Sequence, residues 1–416
     1  MSERNPPNPS GWRNAAWMPA VLLITVQIAA GLRDLPQSSF FLIFLQEQLH
    51  LEKNVISSVV AGAQVTGMLT ALLGGGISSR LGSKWVLVLG LALTGLNSLA
   101  FQVRSPWLAA LLWFIGGAGG ALIAVGGASY LTHIGARGSV GILAAFYALS
   151  MTAGGAIGNP LAGVLIERSG FGVFSLAAMA VSAAAVLLVI LLMPALQNQA
   201  ARSTSPHSFW SGVLATTQQK HVRMVLGLRC LPTIFYSMML LLIPLAIYAL
   251  TGNKVTVAAY GTTNLVIASA AQLLAGRAAD HWGARRPTMV AYSGMIIAGA
   301  GLAVFRSTLW GLYVFGVLGI AAAWSLSTLM YVWVNDGIPK SDHPSVFGLL
   351  TAVWSLSMIC GSVFGGWTGT ALPWLPFLVG AALNAAALIL LSAYYKSTRL
   401  NPVIAETVRG PDGSSK

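Results

Sequence analysis

Apolar residues in this chain come in long blocks separated by short polar breaks. A helix of roughly 20 apolar residues spans a bilayer core of about 30 Å. Twelve such blocks can be drawn, near 16–46, 54–79, 84–103, 106–134, 138–166, 171–194, 219–250, 255–279, 287–305, 308–335, 344–370 and 373–395. The longest polar break, about 195–218, contains "QNQAARSTSPHS" and divides the blocks into six and six. The pattern predicts an all-α membrane protein of twelve transmembrane helices in two six-helix bundles, 16–194 and 219–395. Residues 1–15, 195–218 and 396–416 are then polar tails and a linker. The first block continues to about Leu45, too long for a signal-peptide core, and no small-residue cleavage site follows it. It is read as a retained helix.

Composition agrees with this reading. The 416 residues are 56% hydrophobic and only 8% charged, whereas an average soluble chain is about a quarter charged. The 46 glycines suit helices packed through small residues. Cys230 and Cys360 both fall in apolar blocks, so free thiols are expected rather than a disulfide framework. The net charge of +13 is a matter of topology. With the N-terminus inside, sixteen cationic residues fall on inner segments and five (Lys53, Arg104, Arg168, Lys254 and Arg306) on outer ones, as the positive-inside rule requires. Both termini and the linker are therefore expected in the cytoplasm, with the protein in the inner membrane. No basic domain supports nucleic-acid binding.

Three segment pairs repeat between the halves. "GLRDLP" from Gly31 matches "GLRCLP" from Gly227, "GGISSRLGSK" from Gly75 matches "GRAADHWGAR" from Gly276, and "LSM" recurs at Leu149 and Leu356. Two homologous six-helix halves place a binding site between them and work by alternating access. The loop "GRAADHWGARR", with Asp280, Arg285 and Arg286, resembles the signature loop of the major facilitator superfamily. The loop with Arg80 and Lys84 resembles its first copy, except that Ser79 stands where the family usually has an acid. The resemblance implies a secondary transporter whose helices 1, 4, 7 and 10 line a cavity. Asp280 can cap a helix end or pair with an arginine to latch one conformation; the bland alternative makes Arg80, Lys84, Arg285 and Arg286 topology anchors. "GGAIGNPLAG", from Gly154 to Gly163, resembles the helix-5 signature of proton-exchanging exporters, with Asn159 interrupting the usual Gly-Pro pair. Ordinary small-residue packing explains it equally well.

The intramembrane charges are Arg33, Asp34 and Arg229. An arginine at a helix centre costs about 2.5–3.5 kcal/mol on the insertion scale, so such residues usually face a wet cavity. If helices 1 and 7 are symmetry mates, Arg33 and Arg229 face each other and present paired donors to a carboxylate or phosphate. This placement resembles organophosphate–phosphate antiporters. The alternatives are a structural pair with Asp34 and, for Arg229, snorkelling to the interface. Asp34 is a candidate proton-coupling residue, a cation anchor, or a salt-bridge partner of an arginine. Pro36 and Pro232 free the carbonyls of Leu32 and Leu228, which could then bind substrate or water. Gln37, Tyr236, Trp324 and Tyr331 are further substrate-binding candidates; Gln64, Tyr147, Asn264 and Trp354 could also line the cavity.

No nucleophile–base pair, phosphate loop or metal-ligand spacing stands out, so no enzyme, cofactor or metal is expected. The expected function is secondary transport of a small organic, anionic solute, coupled to protons or to counter-substrate exchange, by a monomer in the lipid bilayer. Proton-coupled export of a drug or metabolite competes with it. A transporter-like sensor is the reading from another class.

Overall fold

The computed structural model describes residues 9–134, 140–195, 217–338 and 343–399. The expected tails and linker lie largely outside these residues. α1 (Pro9–Glu47) starts earlier than the hydropathy suggests, with a proline in its first turn, where a missing N–H breaks no helical bond. α2 (Lys53–Leu81) follows, then α3 (Ser83–Asn97), which ends in a 3-10 turn (Ser98–Phe101), and α4 (Pro106–Ile134). The next helical stretch, Val140–Leu192, leaves helical conformation at Gly170 (φ 80°, ψ 172°). Its apolar part of 47 residues would run about 70 Å as one helix, more than twice a bilayer core. It is therefore two crossings, α5 (140–169) and α6 (171–192). The second half holds α7 (Lys220–Thr251), α8 (Lys254–Trp282), α9 (Arg285–Phe305), α10 (Leu309–Gly337), α11 (His343–Ala371) and α12 (Leu375–Arg399). Eleven described helices are long and apolar enough to cross a membrane, and the break at Gly170 makes the crossings twelve.

The chain forms two compact units, Met1–Phe44 with Val65–Ala201, and Leu45–Gln64 with Arg202–Lys416. The division at 201/202 falls in the polar link. Residues 45–64, placed in the first bundle on sequence grounds, group with the second unit. Polar bonds and tight packing account for this. Glu47 accepts hydrogen bonds from Tyr248 at 2.7 Å and from Lys254 at 3.1 Å, and a Cβ on Gly366 would collide with Ser57.

The first unit contains a cluster of aromatics, with Phe41 and Trp113 centroids 3.8 Å apart and Phe44 packed edge to face against the stacked rings of Phe101 and Phe171. α1 and α5 cross at backbone contact. A Cβ at Gly31 would meet the Met151 carbonyl, one at Gly154 the Ile28 carbonyl, and one at Gly158 the Leu32 carbonyl. In the second unit Gly361 of α11 meets the Ile234 carbonyl of α7 in the same way.

These contacts give the register of the repeat. Gly82 (φ 83°, ψ 147°) and Gly283 have nearly the same backbone conformation, Gly283 at φ 73° and ψ 162°. Only glycine adopts it readily, so the two loops correspond at a spacing of 201 residues. The glycine–carbonyl crossings of α1 with α5 and of α7 with α11 correspond at 206–207 residues. The "GLRxLP" match has a spacing of 196 and lies off this register. Arg33 sits fourteen residues before the end of α1, and Arg229 twenty-two before the end of α7. The eight-residue difference is about 12 Å of helix. The two arginines are therefore not symmetry mates, and the reason is one of depth.

Candidate functional site

The second unit contains a cavity of about 280 Å³ that opens around Arg229. An adjoining lobe of about 230 Å³ shares Arg229, Ser327, Met330 and Trp354 with it. Helical periodicity assembles the walls. On α7, Arg229, Pro232, Thr233 and Tyr236 follow i, i+3, i+4, i+7 spacing and so share one face. On α10, Trp324, Ser327 and Tyr331 do the same, and on α11 Phe347, Leu350, Thr351 and Trp354. α8 contributes Gln272, whose amide donates to the Trp324 carbonyl at 3.4 Å. Trp324 Nε1 donates to the Tyr236 hydroxyl at 3.1 Å, holding both rings against the cavity.

Arg229 is partly buried, and among the described residues no acidic side chain pairs with it. The thiol of Cys230 accepts a hydrogen bond from Ser357 at 3.2 Å. Both cysteines are free.

Arg33 has a different environment. It is 2% exposed inside the first unit. Its Nε donates to Asp34 at 2.6 Å and its Nη1 to Ser182 at 2.6 Å. Gln37, one turn further along the same buried face, is 1% exposed and donates to Ser98 at 2.6 Å while accepting from Asn97 at 3.2 Å. Arg33 is held by its neighbour in sequence, Asp34, and by Ser182 of α6, while its Nη2 has no hydrogen-bond partner among the described residues. Asp34 remains partly exposed, at 23%.

Both proline-freed carbonyls are covered from within the protein. Tyr292 of α9 donates its hydroxyl to the Leu228 carbonyl at 2.6 Å. The Leu32 carbonyl faces the bare Cα of Gly158, a close approach that permits a weak Cα–H···O contact. The expectation that these carbonyls bind substrate or water is corrected accordingly.

The sequence pattern of the Major Facilitator Superfamily matches residues 22–341 and 236–410. The chain belongs to the major facilitator superfamily. It is a multi-pass membrane transporter and not an enzyme. It is similar to the tetracycline resistance proteins of class B from Escherichia coli, 29% identical over 132 residues, and of class D from Salmonella ordonez, 31% identical over 131 residues. These alignments cover 30% of this chain, and 30% and 31% of the relatives' own lengths. Two crystal structures of the nucleoside transporter NupG share its fold, with TM-scores of 0.74 and 0.73 at 15% identity. They cover 89% and 92% of this chain, and each is itself covered to 99%.

The loop residues of the transporter are engaged unequally. Lys84 donates to the Ile190 carbonyl of α6 at 2.9 Å. Arg285 stacks over the Tyr395 ring, 4.3 Å from its centroid. Arg80, Asp280 and Arg286 are exposed, and no ion pair joins Asp280 to a described arginine. Of the candidates read from sequence, Arg229, Tyr236, Trp324, Tyr331 and Trp354 come together at the cavity. Gln272, Ser327 and Phe347 were missed. Their signal was available: each lies on a helix that carries a candidate or on its packing neighbour, and Ser327 and Phe347 stand at helical spacing from Trp324 and Trp354.

Proposed function

We propose that this transporter carries a small organic anion by alternating access, with Arg229 as the anion-binding group. The observation that carries the proposal is an arginine lining an aromatic-walled cavity with no carboxylate to neutralise it. A cation withdrawn from water is costly unless paired, and a ligand anion supplies the missing charge. Arg33 is left out of this role because it is 2% exposed inside the first unit and already paired with Asp34. Coupling is assigned to Asp34, which is partly exposed and hydrogen-bonded to Arg33, so protonation weakens one ion pair and changes the charge of α1. Both termini face the cytoplasm, as the sixteen-to-five distribution of cations supports.

The test is uptake into proteoliposomes under an imposed proton gradient, using a panel of radiolabelled organic anions. Arg229→Lys keeps the charge but loses the planar fork. A lost charge-assisted hydrogen bond is worth about 1.5–3 kcal/mol, so binding should fall roughly ten- to a hundredfold. Unchanged affinity in a well-folded Arg229→Lys protein would remove Arg229 from the site.

Export of a drug-like molecule is the second reading. It is favoured by the partial similarity to tetracycline resistance proteins, since a transporter confers resistance by removing the compound. Tetracycline accumulation in cells with and without the protein separates this reading from anion transport.

A further inference from the structure

The cavity specifies more than a negative charge. We infer that the ligand is an aromatic monocarboxylate, its carboxylate held by Arg229 and Tyr236 and its ring held between aromatic side chains. This rests on the anion-binding reading above and narrows it.

The charge count argues for a monoanion. Arg229 brings one positive charge to the recess, and the second intramembrane arginine is committed to Asp34 at 2.6 Å. A phosphate ester carries close to two negative charges near neutral pH. It would leave one of them without a cationic partner in an aromatic-walled cavity, which is costly. A carboxylate leaves none.

The donor geometry argues for a carboxylate. Tyr236 accepts from Trp324 Nε1, which leaves its own proton to donate. Tyr236 follows Arg229 by seven residues on the same helical face. The phenol and the guanidinium therefore offer donors to one side of the cavity from positions two turns apart on α7. The Thr233 hydroxyl, between them, is occupied with the Arg229 carbonyl at 2.6 Å.

The walls argue for a flat ring. Tyr236 and Trp324 border one lobe, Tyr331 and Phe347 the other, and Trp354 borders both. Tyr331 and Phe347 pack at 5.3 Å between centroids, tilted by 34°. Ring faces favour offset-stacked or edge-on aromatic partners over saturated ones of the same size. The lobes, of about 280 and 230 Å³, have room for one or two rings.

The experiment is calorimetric titration of the purified full-length protein in lipid nanodiscs at pH 8 with four probes. Benzoate is compared with cyclohexanecarboxylate, phenyl phosphate and methyl benzoate. Benzoate should bind roughly two- to tenfold more tightly than cyclohexanecarboxylate, the range expected for one aromatic pair, and more tightly than phenyl phosphate. Methyl benzoate should bind at least tenfold more weakly than benzoate. Trp354→Leu keeps an apolar wall and should remove the preference for benzoate over cyclohexanecarboxylate. Arg229→Gln, checked by thermal melting, should abolish the difference between benzoate and its ester.

Equal binding of benzoate and cyclohexanecarboxylate to the wild-type protein would overturn the aromatic assignment. Tighter binding of phenyl phosphate would overturn the monoanion assignment. Either result, if still dependent on Arg229, leaves the anion-transport reading in place. Binding of no probe, or binding that ignores Arg229, would overturn both.

Discussion

The hydroxyl of Tyr292 on α9 donates to the carbonyl of Leu228 on α7 at 2.6 Å. That carbonyl is the one left without its helical N–H by Pro232. Tyr292 is 0% exposed, so no water can take its place. Tyr292→Phe removes the donor and leaves a buried carbonyl unsatisfied, which costs about 1–3 kcal/mol. Thermal unfolding in detergent should show a lower midpoint. A midpoint equal to wild type would mean that the kink at Pro232 has another source of support.

Gly158 permits the backbone of α5 to touch α1 at the Leu32 carbonyl. Gly158→Ala must push the helices apart, an overpacking change that typically costs about 1–3 kcal/mol. Gly172 has open space where its Cβ would sit, and Gly172→Ala should be neutral or stabilising by up to about 1 kcal/mol. Measured side by side, the two melting curves should shift by different amounts or in opposite directions. Equal shifts would contradict the close crossing.

Arg33 and Asp34 form an ion pair in which the arginine is 1% exposed at its side chain. Removing one partner of a buried pair costs about 3–5 kcal/mol, so Asp34→Ala should unfold readily. Asp34→Asn keeps an acceptor oxygen and should fold. If Asp34 carries the coupling proton, Asp34→Asn proteoliposomes should lose gradient-driven accumulation and keep counterflow exchange. Parallel loss of both activities would assign Asp34 a structural role.

Glu47 receives Lys254 at 2.9 Å and the Tyr248 hydroxyl at 2.7 Å, and the Lys254 side chain is only 13% exposed. Lys254→Met should destabilise the protein by about 1–2 kcal/mol, between the values for exposed and charged buried hydrogen bonds. The exchange Glu47→Lys with Lys254→Glu should recover part of that loss in a melting assay, because the pair is restored with its sign reversed. No recovery in the double exchange would show that Tyr248, not the ion pair, holds this end of α1.

Hydropathy alone located twelve crossings, because a bilayer demands long apolar runs and little else. It also placed the boundary between α5 and α6, and the matching motifs "GGISSRLGSK" and "GRAADHWGAR" paired the loops at Gly82 and Gly283, since turn geometry is local and glycine marks it. Arg229, Tyr236, Trp324, Tyr331 and Trp354 were legible as candidates because polar and aromatic residues stand out in an apolar helix. Sequence could not say which way Arg33 points. It and Gln37 face the interior of the first unit because α1 presents that side to α3 and α6, a matter of packing between segments roughly 60 to 150 residues away. The "GLRxLP" match misled for a similar reason: similar letters recurred at a spacing of 196, while the helix crossings repeat at 206–207. Which carbonyls stay free, and which arginine stays unpaired, are decided by neighbours far along the chain, and only the tertiary structure brings those neighbours into contact.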